Sequence, residues 1–419
     1  MGMTTTEKIL SRACKTPVSP GMIVNVPVDT LMVMDLAGIN VFKTFEKLGA
    51  KEIKIKDKVV FINDHGGVGH SLERSNLMKS MKDLVMKYDM PNFYDIGRSG
   101  ICHQVMVEDG WVKPAEVAIG ADSHATTYGA IGAFGTSISQ SEAGIAMATG
   151  MAWFSVPETI HIIVQGKLPY GCSGKDVALE LIRILGCDEK AIYKALEFGG
   201  EGITSLSISD RMAICNMMCE AGAKNAVFPA DEVTAAYVGC KLTDIPDMTA
   251  DEDANYCEEI VIDLDKLVPL IAVPHLTSDV HPVTEYEGKP LTQAFLGSCT
   301  SGRLDEFEIA AKILKGKTIA KNMVMIAVPS STKIYKEALK LGYIQTLVDA
   351  GVAVESSSCA SCAGAHTGVL ADGSICISTT NRNFKARMGS KESSIYLASA
   401  ATVAASAIEG KIADPRKYL

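Results

Sequence analysis

Short β-branched runs alternate with amphipathic segments along most of this chain. That alternation restricts the fold more than any other feature. Residues 59–63 (VVFIN), 117–119, 160–164 and 323–328 read as buried strands, with 375–378 a weaker one. Helical patterns lie between them. Residues 175–185 place Val177, Ala178, Leu181, Ile182 and Leu185 on one face and stop at Gly186. Strands alternating with helices predict α/β layers on mostly parallel sheets. In such sheets ligands bind beyond the carboxyl ends of strands, and the polar motifs fall there. Asp64 and His65 follow VVFIN, Asp122, Ser123 and His124 follow VAIGA, and residues 379–382 follow ICIS. Together they predict one shared cleft.

The 419 residues suggest two or three domains at roughly 150 residues each. The expected division is 1–158, 159–273 and 274–419. The acidic, turn-rich stretch 243–256 and residues 274–281 are the boundary candidates. Residues 396–408 (YLASAATVAASAI) read as a buried helix, too short for the roughly 18 residues of a membrane span. The net charge of -9 weighs against a nucleic-acid partner, whose phosphates need a basic face. It leaves room for an anionic substrate, which needs only a local arginine cluster. The start, MGMTTTEKILSRACK, has no apolar signal region. A cytoplasmic, reducing location is expected, where the 12 cysteines bind metal, act in catalysis or sit buried.

Three of those cysteines stand out: Cys299 in LGSCTSGR, and Cys359 and Cys362 in SSSCASCAGAH. Thiolates bind soft metals and iron–sulfur clusters. Three ligands leave one position open for substrate. A structural zinc site wants four ligands, and His366 is the only nearby candidate for the fourth. The spacing alone leaves a zinc knuckle, a redox CxxC and a cluster all open.

The segment 120–135 (GADSHATTYGAIGAFG) joins a polar triplet to Gly129, Gly132 and Gly135. Its glycines read equally as a packed turn. Asp122, Ser123 and His124 need partners if buried, and a carboxylate beside a histidine suits acid–base work. Asn216 and Glu220 lie four apart, which puts them on one helix face, with Ser209 or Asp210 as its cap. The apolar neighbours Met212, Ile214, Met217 and Met218 suggest burial, though a solvated pair has the same spacing. Arg382 and Arg387, after Asn381, offer bidentate forks for carboxylates. A basic surface loop would look the same.

In their order along the chain these motifs resemble the aconitase family of iron–sulfur hydro-lyases. Within it they are closest to the separate large subunits of the 3-isopropylmalate dehydratase type. The resemblance runs from EKIL through GADSHATTYGAIGAFG, KDVALELI, NMMCEAGAKN, GSCTSGRLDEF and CAGAHTGVLADG to ISTTNRNFKARMGS and YLASAATVAASAI. It implies three α/β/α domains around a central cleft. It also implies a 4Fe–4S cluster on Cys299, Cys359 and Cys362, with one iron lacking a protein ligand. By the same analogy His65, paired with Asp64, protonates the departing hydroxyl. His103 and Asp122 form a second pair, Ser123 contacts substrate and His124 the cluster-side water. Asn216 and Glu220 stand beside the open iron, and Arg382 and Arg387 bind the carboxylates of a small di- or tricarboxylate. No segment resembles the swiveling domain that carries the family's catalytic serine, so a small-subunit partner is expected to bring it.

Departures from the family pattern bear on the substrate. Ser301 stands where SCTNGR is usual, CASC replaces CGPC, and GGVGHS after Asp64 and His65 adds His70. The early MVMDLAGIN also differs. No ligand is lost. 2,3-Dimethylmalate dehydratase and homoaconitase large subunits share the family, so the substituent on the substrate stays open. An iron-sensing RNA-binding role, known among relatives, is disfavoured by the acidic balance.

Overall fold

Three sheets organise the chain in the computed structural model, which describes residues 2–187, 189–364 and 366–419. The first runs in the order Asn92–Tyr94, Val59–Ile62, Thr30–Met34, Val117–Gly120, Phe134–Ser137, all parallel. The second runs Asn225–Val227, Ala195–Gly199, Thr159–Gln165, Glu258–Asp263, also parallel. The third runs Val280–Pro282, Leu270–Ala272, Ser394–Ala398, Ile375–Ser378, Gln293–Leu296, Val324–Ala327, Ala353–Val354. Its first two pairings, both made by Leu270–Ala272, are antiparallel and the rest parallel. A two-stranded antiparallel ribbon, Ile23–Pro27 with Met151–Ser155, completes the set.

Parallel strands covered on both faces are apolar throughout, and Val59–Ile62 is buried at every position. The helix expected over 175–185 forms as Gly174–Leu185. Ser173 and Asp176 exchange hydrogen bonds at its start. Gly186, at φ +74°, ends it. One continuous apolar core joins the sheets, from Met32 and Val60 through Ile160 and Phe198 to Ile395 and Leu397. Among the described residues, no helix is long and apolar enough to cross a membrane.

Four expectations change. Residues 396–408 are not one helix: Ser394–Ala398 is an interior strand of the third sheet, and the helix is Ala400–Glu409. The sheet captures the first residues because both faces of that strand position are covered. The stretch 243–256 leads into Glu258–Asp263, which pairs with Thr159–Gln165, so it is a connection inside the second sheet. Residues 274–281 lie within the third sheet, which begins at Leu270, ahead of the expected 274. The Asn216 helix, Ile208–Met217, is capped by Ser207 rather than Ser209 or Asp210, with Asp210 returning the capping bond.

The join between first and second sheets is tight where it matters for the site. A Cβ on Gly129 would lie 1.7 Å from the Ala226 carbonyl oxygen. Only glycine lets the 3₁₀ segment Ala125–Ile131, which follows His124, lie directly on the second sheet.

Candidate active site

The carboxyl ends of neighbouring parallel strands bring the polar motifs together. In the first sheet, Thr30–Met34, Val59–Ile62 and Val117–Gly120 are adjacent. They deliver Asp35, then Asp64 and His65, then Asp122, Ser123 and His124. In the third sheet, Gln293–Leu296 and Ile375–Ser378 are adjacent and deliver Cys299 and Asn381–Arg382. The two groups face one cavity of about 180 Å3. Eleven of the residues singled out above line it: Asp64, His65, His103, Asp122, Ser123, His124, Cys299, Cys359, Cys362, Arg382 and Arg387. Asn216 and Glu220 stand behind it and brace residues that do.

Two histidine–carboxylate pairs occupy the first-sheet side. His65 Nδ1 donates to Asp64 Oδ1 at 2.6 Å. Burial disfavours a charged ring, but the Asp64, Asp35 and Asp122 carboxylates outweigh it and push His65 up to about 10. His65 is therefore a cation at neutral pH, with its Nε2 atom 3.9 Å from Asp122 Oδ2. His103 Nε2 donates to Asp122 Oδ1 at 2.7 Å, and the Tyr128 hydroxyl lies 3.3 Å from its Nδ1. Burial would raise the Asp122 carboxyl, but hydrogen bonds from His103 and from His124 hold it well below the usual range. His124 Nε2 donates to Glu220 at 2.8 Å. Arg382 Nε donates to both Glu220 oxygens, at 2.7 and 2.9 Å. Against the cost of burial, His124 and Arg382 lower the Glu220 carboxyl. Glu220 is thus an ionised brace, placed on the 3₁₀ turn Met218–Ala221 that follows the Asn216 helix.

Thiols occupy the third-sheet side. Asn381 Nδ2 donates to Cys299 Sγ at 3.2 Å and to Asn216 Oδ1 at 3.3 Å. Arg387 Nη2 lies 3.6 Å from Cys362 Sγ, and Ser298 Oγ 3.5 Å from it. The hydrogen bond from Cys359, with burial opposing and then Arg387 assisting, lowers the Cys362 thiol well below its ordinary value. That same bond, with burial, raises Cys359. Thiolate on this pair is therefore favoured at Cys362. Flanking residues hold strained backbone: Ser298 at φ +85° and Ala360 at φ +47°, a region costly for side chains other than glycine. An all-sulfur donor set, supplied with N–H donors that neutralise thiolate charge, fits a thiophilic centre of the iron–sulfur kind.

Sequence reasoning missed several members. Cys102 also lines the cavity, but burial, then Asp64 and Asp122, raise its thiol. Its neighbours repel a thiolate where those of Cys362 attract one. Its backbone N–H holds Asp64 Oδ2 at 2.9 Å. Asp35 receives the N–H groups of His65 and Gly66 at 3.3 and 2.6 Å. Lys175, first residue of the KDVALELI motif, is buried and crosses from the second sheet's helix to the third sheet. Its Nζ donates to the carbonyls of Thr379 and Thr380 at 3.1 and 2.6 Å. Thr379 in turn clamps Gly297, accepting its N–H and donating to its carbonyl. The Lys175 contacts span 204 and 205 residues and the others 30 to 82, and spacing carries no trace of them. The apolar run after Lys175 was its only local sign.

Comparison with known proteins bears on the family. The sequence matches the Aconitase family (aconitate hydratase) over residues 7–292 and 282–410. It is 44% identical over 425 residues to a 3-isopropylmalate dehydratase large subunit of Aliarcobacter butzleri, covering 99% of this chain and 100% of that protein. It is 42% identical over 420 residues to 3-isopropylmalate dehydratase large subunit 1 of Methanopyrus kandleri, covering 100% of both. In structure it is similar to aconitase X of Thermococcus kodakaraensis, with TM-score 0.52 at 13% identity over 85% of this chain and 84% of that one. That likeness speaks to the fold alone. With the family pattern matched along nearly all its length and full-length relatives above 40% identity, the chain belongs to the aconitase family.

Proposed function

We propose that this protein is the cluster-bearing large subunit of a hydro-lyase that reversibly dehydrates a substituted malate, 3-isopropylmalate in the first instance. One observation carries the reading: Cys299, Cys359 and Cys362, two histidine–carboxylate pairs and two arginines line a single cavity. Its full-length relatives are named for that activity. Cys299, Cys359 and Cys362 would hold a 4Fe–4S cluster. When bound, the cluster supplies Lewis-acid polarisation of the substrate hydroxyl, which makes it a better leaving group.

The chain's own residues do the rest. Arg382 and Arg387 bind the substrate carboxylates through charge-assisted hydrogen bonds. Arg382 is pre-aimed by Glu220. His65, kept cationic by Asp64, donates its Nε2 proton to the departing hydroxyl, which leaves as water. Asp64 then stabilises the neutral ring in the right tautomer for the reverse direction. Asp122, held ionised by His103 and His124, accepts a hydrogen bond from that water and orients it. Ser123 contacts the substrate.

The base that removes the carbon-bound proton belongs to a partner: a small subunit whose swiveling domain supplies a serine. The test is an anaerobic assay of the purified chain with its cluster reconstituted, with and without the small subunit. Turnover of 3-isopropylmalate is expected only from the pair. Full turnover by this chain alone would overturn the division of labour.

A further inference from the structure

Lys175 carries a buried charge that no carboxylate touches among the described residues. Its side chain is 2% exposed. Its Nζ donates to the Thr379 and Thr380 carbonyls at 3.1 and 2.6 Å and to the Met217 sulfur at 3.1 Å. It also stands in the first turn of the helix Gly174–Leu185, at the end where the backbone dipole favours anions and disfavours cations. A buried ammonium is normally paired with a negative group. Burial and the helix end both work against this one, so its place needs an anion nearby.

The negative groups that bear on the ammonium are Glu306 first, then the thiolates of Cys299 and Cys362, then Asp176. Both carboxylates are committed elsewhere. Glu306 accepts the Ser301 hydroxyl at 2.6 Å and the Arg303 backbone N–H at 3.0 Å. Burial, with Asp305, pushes it up to about 7, and the Arg303 charge already draws on it. Asp176 accepts the N–H groups of Ser173 and Leu270 at 2.9 and 2.8 Å, and burial pushes it up to about 6. The thiolates remain.

The contacts of Lys175 lead to those thiols. The Thr379 carbonyl that it holds also accepts the Thr300 hydroxyl at 2.6 Å, and Thr300 follows Cys299. The Thr380 carbonyl that it holds precedes Asn381, which donates to Cys299 Sγ. Burial pulls the ammonium down to about 8, which leaves it charged at neutral pH. We propose that Lys175 is the buried counter-cation of the metal centre. It offsets the negative charge of Cys299, Cys359 and Cys362 and of the iron–sulfur group they would hold, and so raises that group's reduction potential. Net charge close to a cluster is one of the factors that set its potential, and a nearby cation favours the reduced, more negative form. Lys175 acts through its field and touches no substrate. The inference rests on the reading of the three cysteines as cluster ligands.

The experiment is an anaerobic redox titration of the full chain with its cluster reconstituted, with the reduced form followed by electron paramagnetic resonance. Lys175→Met removes the charge at similar length. Lys175→Gln removes it but keeps a donor for the carbonyls. Each is expected to make the reduced form at least tenfold less favourable, a fall in potential of about 59 mV for one electron. A buried unit charge at short range is worth about that factor or more. A fall of less than tenfold in Lys175→Met overturns the counter-cation and leaves the proposed function standing. So does a parent-like potential in Lys175→Gln, which would assign the effect to hydrogen bonds alone. If one variant takes up no iron, the other decides. If neither does, unfolding of the apo forms decides. Apo variants as stable as the apo parent show that charge at the centre was lost, which supports the proposal. Apo variants that are less stable mark Lys175 as a brace of the fold and overturn it. A parent chain that takes up no iron and sulfide overturns the proposed function, and this inference with it.

Discussion

Two buried networks of cations and carboxylates lie within this chain, and they are built differently. Around Arg211 the network is closed to outside molecules, although Nε is buried without a partner among the described residues. The side chain is fully buried, donates to both oxygens of Asp231 at 2.9 and 2.6 Å and to the Ile203 carbonyl at 2.9 Å. Its guanidinium sits 5.1 Å from the centre of the Phe228 ring. Around the cavity the network is open. Asp122 is shared between two histidines and borders the cavity, while Glu220, behind it, is shared between a histidine and an arginine that line it. The closed network spends its hydrogen bonds on the fold. The open one holds donors and charges in place for a molecule that is not part of the chain.

The sharpest way to break that contrast is at His65. His65→Gln keeps a side chain of similar reach but cannot carry the proton. It is expected to lower kcat by about 10²–10⁴-fold and to leave the thermal midpoint within a few degrees. A large loss of stability would mean that the open network also holds the fold.

The reverse experiment is Arg211→Leu. Removing one partner of a buried pair leaves Asp231 uncompensated, at a cost of about 3–5 kcal/mol. Denaturant unfolding measures it, and activity per folded molecule should be retained. An intact unfolding midpoint would erase the distinction from the other side.

A smaller effect concerns pH. Burial would raise the Asp231 carboxyl, but the Arg211 hydrogen bonds and those of Thr234 outweigh it and lower it. A carboxylate with a depressed folded pKa contributes stability that is complete above its unfolded value, near 3.9, and is lost as pH falls through the folded value. Stability should therefore decline on acidification below about pH 4. The decline should be shallower in Asp231→Asn, measured by denaturant unfolding across that range.

Much of this contrast could be seen in the sequence where chemistry was local. Asp64 and His65 are neighbours and pair as neighbours. Cys359 and Cys362 are three apart and hydrogen-bond to each other. The carboxyl ends of strands carried the polar motifs, where open parallel sheets bind their ligands. What escaped was set at long range. The pairing of Asp122 with His103 on another segment came from the family resemblance and not from spacing. Residues 396–408 carried a helical composition, but the first of them were claimed by a sheet whose strand positions were decided elsewhere. Nothing in the sequence marked Met34 and Leu36 individually for the site. Only the fold shows that they border a cavity.

The clasp between Lys175 and the carbonyls of Thr379 and Thr380 has a consequence in time. It joins positions 205 residues apart, so the turn that aims Asn381 at Cys299 takes shape only when most of the polypeptide has been made and its sheets have met. Contacts of such high sequence separation form late in folding. The thiols of Cys299, Cys359 and Cys362 therefore become a matched set near the end of folding.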